Sequence, residues 1–281
     1  MEIFFFSSFL LCPRKDKRFC FPYIIRIFLE NMHVFFACFH LVRKKKYLYN
    51  KNNCSKGIGR WSFMKSEKQM SDTHFLGLIL ALVGGFLDAY TYICRGGVFA
   101  NAQTGNIVLL GIQITSLNWG RALYYFMPVL SFIAGILICE LIQTRFKWKE
   151  SLHWRQLTVL LELFCLAAAG FLPLGKFDTA VNILVSFVCA LQVEAFRKMN
   201  GNTYATTMCT GNLRSATQNL YLGFREKDRN RLIDSLQYYN VILFFIIGAA
   251  TGALLTARFG GQSVWVCCLG LLAVFAAMFR K

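Results

Sequence analysis

A chain of 281 residues holds one large domain or two small ones, and this one is 56% hydrophobic and only 16% charged. Soluble domains carry about one quarter charged residues, so the composition excludes an ordinary water-soluble fold and suits a surface facing lipid. The formal net charge of +17 does not point to nucleic acid, because residues 1–63 hold 12 Lys and Arg against 3 Asp and Glu, and the other cations cluster in short segments between apolar stretches.

The first 63 residues read unlike the rest. Phe4-Phe5-Phe6 opens an apolar run too short to span, with no basic segment before it, which argues against a signal peptide. The stretch from Phe19 to Val42 is interrupted by Arg26, Glu30 and His33, each costly in hydrocarbon. Arg43-Lys44-Lys45-Lys46 and an Asn/Lys tract follow, text of the kind an AT-rich untranslated leader gives when read in frame. Residues 1–63 are therefore expected to be a non-native or disordered basic leader, with Met64 or Met70 as the native start. The alternative is a peripheral arm whose basic run attracts anionic lipid.

Residues 64–281 are expected to form an all-α polytopic membrane domain. Crossing hydrocarbon takes about 20 apolar residues. Six stretches qualify: Phe75 to Cys94, Ala122 to Gln143, Leu157 to Leu174, Thr179 to Phe196, Leu236 to Ala257 and Val264 to Phe279. Asn106 to Leu117 and Asn212 to Leu222 are apolar but reach only about half-way across. If the six long stretches cross and the two short ones re-enter, the cations at Arg145–Arg155, Arg225–Arg231 and Arg280-Lys281 share the cytoplasmic side, along with both termini. A multi-pass membrane protein follows.

The two halves, about 75–174 and 179–279, share an order of features. Asp88-Ala89 is followed after fourteen residues by Thr104-Gly105-Asn106, and Glu194-Ala195 after fourteen by Thr210-Gly211-Asn212. Phe99-Ala100 and Tyr204-Ala205 precede the triplets. A repeated tripeptide alone means little, but here each sits in the same context of span, Gly-bearing connection, short segment, span, span. Three crossings per unit would invert the second relative to the first, a plan familiar among secondary transporters.

The run Gly85-Phe86-Leu87-Asp88-Ala89 through Thr104-Gly105-Asn106, with Arg197 through Thr210-Gly211-Asn212-Leu213, resembles the YoaK-type family of bacterial membrane proteins, domain of unknown function 1275. The likeness covers about Thr73 to Phe279. It implies a multi-pass protein of the bacterial plasma or inner membrane with about six helices, and no catalytic residues to carry over.

Asp88 and Glu194 are candidate proton or cation ligands, since an ionisable group within a span usually faces a cavity or a partner. Both also lie near span ends, where Arg95 and Arg197 are close enough to be simple ion-pair partners. Gln192 stands beside Glu194. Thr104, Gly105 and Asn106, with Thr210, Gly211 and Asn212, can open helices whose exposed N–H groups favour an anion and could line a central site. The competing reading makes them caps and packing contacts. Glu140 and Glu162 are explained by snorkelling toward the cytoplasmic side, and Gly248, Ala249 and Gly252 by close helix contact.

No Cys-x-x-Cys pair, Walker-type loop or nucleophile elbow appears, so neither an enzyme, a cofactor nor a metal is expected. The expected partners are the lipid bilayer, a small solute or coupling ion and, in an oligomer, further copies of the chain. The function expected is a small secondary transporter or permease for a small polar or anionic solute. The rival is a non-transporting scaffold or sensor.

Overall fold

A computed structural model describes residues 74–146, 153–199, 202–203 and 209–279. The chain divides into two units, Met1–Lys65 and Ser66–Lys281, and the described residues all belong to the second. The leader, both proposed start residues, Trp148, the Tyr204-Ala205 pair and Arg280-Lys281 lie outside the described residues.

Among the described residues eight α-helices carry the architecture: α1 (His74–Cys94), α2 (Gln103–Thr115), α3 (Trp119–Phe146), α4 (Trp154–Phe171), α5 (Asp178–Ala195), α6 (Cys209–Arg225), α7 (Arg229–Phe259) and α8 (Trp265–Ala277). A 3-10 turn, Gly260–Val264, joins α7 to α8. A two-residue antiparallel ladder, Lys198–Met199 with Asn202–Thr203, lies between α5 and α6. Among the described residues five helical runs are long and apolar enough to cross a membrane: α1, α3, α4, α5 and the continuous run Arg229–Ala277. The outer surface fits that reading. On α3 alone Leu123, Ile133, Leu137 and Leu141 are exposed, a display that water penalises and lipid does not.

Helix directions follow from side-chain register. A β-carbon on Gly248 would strike the Leu82 carbonyl, one on Gly252 the Phe86 backbone, and one on Gly85 the Phe245 carbonyl. Residue numbers rise together on both helices, so α1 and α7 run parallel, their backbones close enough that only glycine fits. The expectation of close packing at Gly248, Ala249 and Gly252 holds. In α3 and α5, Ser131 Oγ donates to the Ile183 carbonyl, a Gly135 β-carbon would meet Ala190, and Cys139 Sγ lies 3.8 Å from the Leu191 carbonyl. These helices also run parallel. Gly261 lies against Arg95 and Gly270 against Val83, so α8 returns antiparallel to α1, and the run Arg229–Ala277 folds back on itself at Gly260 (φ +56°).

The described ends therefore gather at two faces. The starts of α1, α4 and α7 lie with the ends of α3, α5, α6 and α8 at the first face, with Arg145, Arg155, Arg225, Arg229 and Arg231. At the second face stand the end of α1, the start of α3 and the α4–α5 and α7–α8 connections.

The short segments are longer than expected. α2 has 13 residues and α6 has 17, against the 12 and 11 read from apolar character: both start three residues earlier, in first turns of weaker apolar character, while α2 stops at Thr115 and α6 runs on to Arg225. α4 starts at Trp154 and not at Leu157, since His153 caps it in a reciprocal arrangement with Gln156. α7 begins at Arg229, seven residues before the apolar stretch, with the Asp228 carboxylate accepting from the Asn230 amide at 2.8 Å.

Candidate functional site

The connection from α1 to α2 does not stay at the second face. Arg95 ends α1, and Gly96 (φ +83°) and Gly97 (φ +75°) turn the chain inward. Asn101 then donates through Nδ2 to the Gly84 carbonyl at 2.8 Å, and its backbone N–H donates to an Asp88 carboxylate oxygen at 2.8 Å. Gly84 lies ten residues before the end of α1, so the chain has descended about 15 Å before α2 begins. α2 then climbs back. At its exit α3 is again level with the end of α1, where Tyr124 donates to the Arg95 carbonyl at 2.8 Å.

α6 runs toward the first face. It lies antiparallel to α7, with Gly223 against Leu232 and the Ala216 carbonyl accepting from Ser235 at 2.7 Å. Its start is accordingly deep in the bundle, and the Cys209 thiol lies within electrostatic reach of Asp88. The N-termini of both short helices therefore approach one interior point, the Asp88 carboxylate.

Asp88 is 7% exposed and is held by main-chain N–H groups: the Ala100 and Ala102 amides are directed at it together with that of Asn101. It sets an internal carboxyl group at the positive end of α2. Arg95 is not its partner. That guanidinium, wholly buried, donates to Tyr90 Oη (2.9 Å), to the Leu172 and Pro173 carbonyls (2.9 and 3.1 Å) and to Asp178 (3.1 Å). Asn182 and Tyr124 secure the Arg95 carbonyl. This latch ties α1, α3, α5, the α4–α5 connection and, through Tyr90 and Gly261, the α7–α8 turn. Sequence reasoning missed it because Asp178 lies 83 positions away and no spacing rule links them.

The triplets divide by residue. Asn106 is buried and staples the descending segment, its Nδ2 donating to the Phe99 carbonyl at 2.7 Å while its Oδ1 accepts from the Phe99 amide at 3.3 Å. Thr104 is exposed, and Gly105 rests against the Phe99 ring. In the second triplet Asn212 is buried, whereas Thr210 and Gly211 are exposed. The two asparagines are thus buried near the starts of the short helices, and the threonines are not. Glu194 stands at the end of α5 in an ion pair with Arg197 at 3.1 Å, as an end-of-span pair would. Gln192 is buried and donates to the Leu80 carbonyl at 2.8 Å.

Glu162 is a further correction. Its carboxyl is 0% exposed and lies at the ninth of eighteen residues of α4, so snorkelling does not account for it. Neither oxygen has a hydrogen-bond partner among the described residues. Glu140, by contrast, is exposed, as expected. On α5, Asn182, Ser186, Cys189 and Gln192 are all buried and form one stripe at helical spacing. Cys189 feels both Asp88 and Glu162, so the stripe links the latch, the short-helix meeting point and Glu162 in a polar file through the core. Among the described residues no cluster of His, Cys, Asp and Glu could hold a metal ion.

The family model described as "Protein of unknown function (DUF1275)" matches residues 76–277. The chain is 29% identical over 202 residues to "UPF0700 transmembrane protein YoaK" of Bacillus subtilis (strain 168), covering 67% of this chain and 86% of that protein. No solved structure matches.

Proposed function

This chain belongs to the DUF1275 family, and we propose that it is a secondary transporter or permease for a small polar solute, built from two inverted three-span repeats. The carrying observation is the depth at which α2 begins: an extended segment descends to Gly84 and Asp88, and a half-helix returns to the face it came from. Non-helical backbone at that depth is tolerated where it is buried in protein or borders a water-filled path. Paired interrupted segments are the arrangement in which transporters place their sites.

Exchange of partners supports the repeat. With α1–α4 as one unit and α5–α8 as the other, α1 packs on α7 as α5 packs on α3, both parallel, and α4 meets α5 as α8 meets α1. Leu191 lies against Cys139, and their counterparts Gly85 and Ala249 lie against each other. Leu117 (φ +54°) and Lys227 (φ +55°) end the short helices in the left-handed conformation, followed by the capping residues Asn118 and Asp228. On this reading α7 and α8 are separate crossings, six in total, and the cationic first face is cytoplasmic.

Of the two solute classes, the polar one fits better than the anionic one. Asp88 already occupies the amides that would attract an anion to α2. The chain is read as non-enzymatic, with flux driven by gradients.

Osmotic swelling of proteoliposomes with uncharged, cationic and anionic small solutes tests this. At least one uncharged or cationic solute should enter faster than into protein-free vesicles. In a cysteine-free background, a cysteine at Asn182 should react with an impermeant thiol reagent from one side. No flux for any class, with that cysteine protected from both sides, would favour the scaffold.

A further inference from the structure

We propose that the side chain of Glu162 is a proton-binding site in the core of the bundle, exchanging its proton with water that enters the polar file. The chemistry is an O–H bond formed and broken at one carboxyl oxygen, with the proton taken from or returned to that water. Five observations converge on it. The group lies about 12 Å along α4 from the helix start. It is wholly buried. Neither oxygen has a hydrogen-bond donor among the described residues, although buried polar atoms almost always find one. Three thiols lie within electrostatic reach of it, Cys139 from α3, Cys189 from α5 and Cys165 from its own helix, with Cys267 of α8 near Cys189 and the carboxyls of Glu140 and Glu194 near Cys139. The last observation is continuity: Cys189 is shared with Asp88, and Ser186 Oγ and Asn182 Oδ1, also without hydrogen-bond partners among the described residues, extend the file to the latch.

Other occupants fit less well. A sodium-like or divalent hard cation wants about six oxygens, and among the described residues no second carboxylate joins Glu162 in a metal-holding group. A soft metal would need the thiols gathered into a ligand set, which the described residues do not form. A proton needs only the carboxyl. An unpartnered charge at this depth costs several kcal/mol, so the carboxyl is neutral while the core is dry and can ionise when water reaches it. Proton binding stands whether or not a solute passes; naming the proton as coupling ion rests on the transport reading above.

The test is pH-difference infrared spectroscopy of the full chain in lipid vesicles, comparing wild type with Glu162→Gln and Glu162→Asp. A protonated-carboxyl C=O band should be present at neutral pH, disappear at alkaline pH, be lost in Glu162→Gln and shift in Glu162→Asp. Asp88 remains in all three proteins, so the difference between spectra isolates position 162. Superimposable wild-type and Glu162→Gln spectra in the carboxyl region would overturn the proposal, as would an unshifted band in Glu162→Asp if the Gln variant fails to fold. A titrating band without flux of any solute would leave the proton site standing and remove the transporter reading.

Discussion

At the scale of single residues, two buried features govern the fold. The first is the glycine contact between α1 and α7, where Gly85 and Gly248 leave no room for a β-carbon. Gly248→Val should lower stability by about 1–3 kcal/mol, the usual cost of overpacking, read as an earlier midpoint on unfolding in detergent. Gly111→Ala, at an open position on α2, should cause no loss. The second is the latch at Arg95. Arg95→Met strands the Asp178 carboxylate and three other acceptors, so a loss of about 3–5 kcal/mol is expected. Arg95→Lys should rescue little of it, because an ammonium lacks the planar fork that reaches all four groups. Equal stability of the Lys variant and wild type would show that the fork is dispensable. Gly248 and Gly252 were legible beforehand through their four-residue spacing, and Gly85 was not. The latch was not: a buried ion pair between residues 83 apart leaves no local pattern, and Arg95 looked like a partner for Asp88 because only sequence distance was visible.

At the scale of elements, the short helices decide the interpretation. Their existence was readable from the Thr-Gly-Asn triplets, and their lengths were not, since first turns of weaker apolar character mask helix starts that lie against protein. The depth of the α2 start depends on Asn101 meeting Gly84 and on Asn106 stapling Phe99, and nothing in the spacing distinguishes that staple from a ligand. Glu162 was underrated for a similar reason. Counted from the apolar stretch it looked close to an end, whereas the cap at His153 moves the helix start and puts it mid-span. The left-handed residues closing α2 and α6 supply a prediction at this scale. A non-glycine residue there costs about 1–2 kcal/mol in backbone energy, so Lys227→Gly should raise the unfolding midpoint modestly. A drop would mean that the Lys227 side chain contributes more than its backbone costs.

At the scale of the molecule, α1 packs on α7 as α5 packs on α3, and Arg145, Arg155, Arg225, Arg229 and Arg231 gather at the first face. The alternation of hydrophobic spans and basic connections made this layout readable from the sequence. Direction did not emerge from it, because a parallel pair and an antiparallel pair have the same composition. The connection Leu117-Asn118 closes α2 at the second face, and Lys227-Asp228 closes α6 at the first. Single cysteines at Leu117 and Lys227, in an otherwise cysteine-free chain in sealed vesicles of known orientation, test this directly with an impermeant thiol reagent. Labelling from opposite sides of the membrane is the expected result. Labelling of both from the same side would contradict half-helices entering from opposite faces, and with it the inverted architecture on which the proposed path depends.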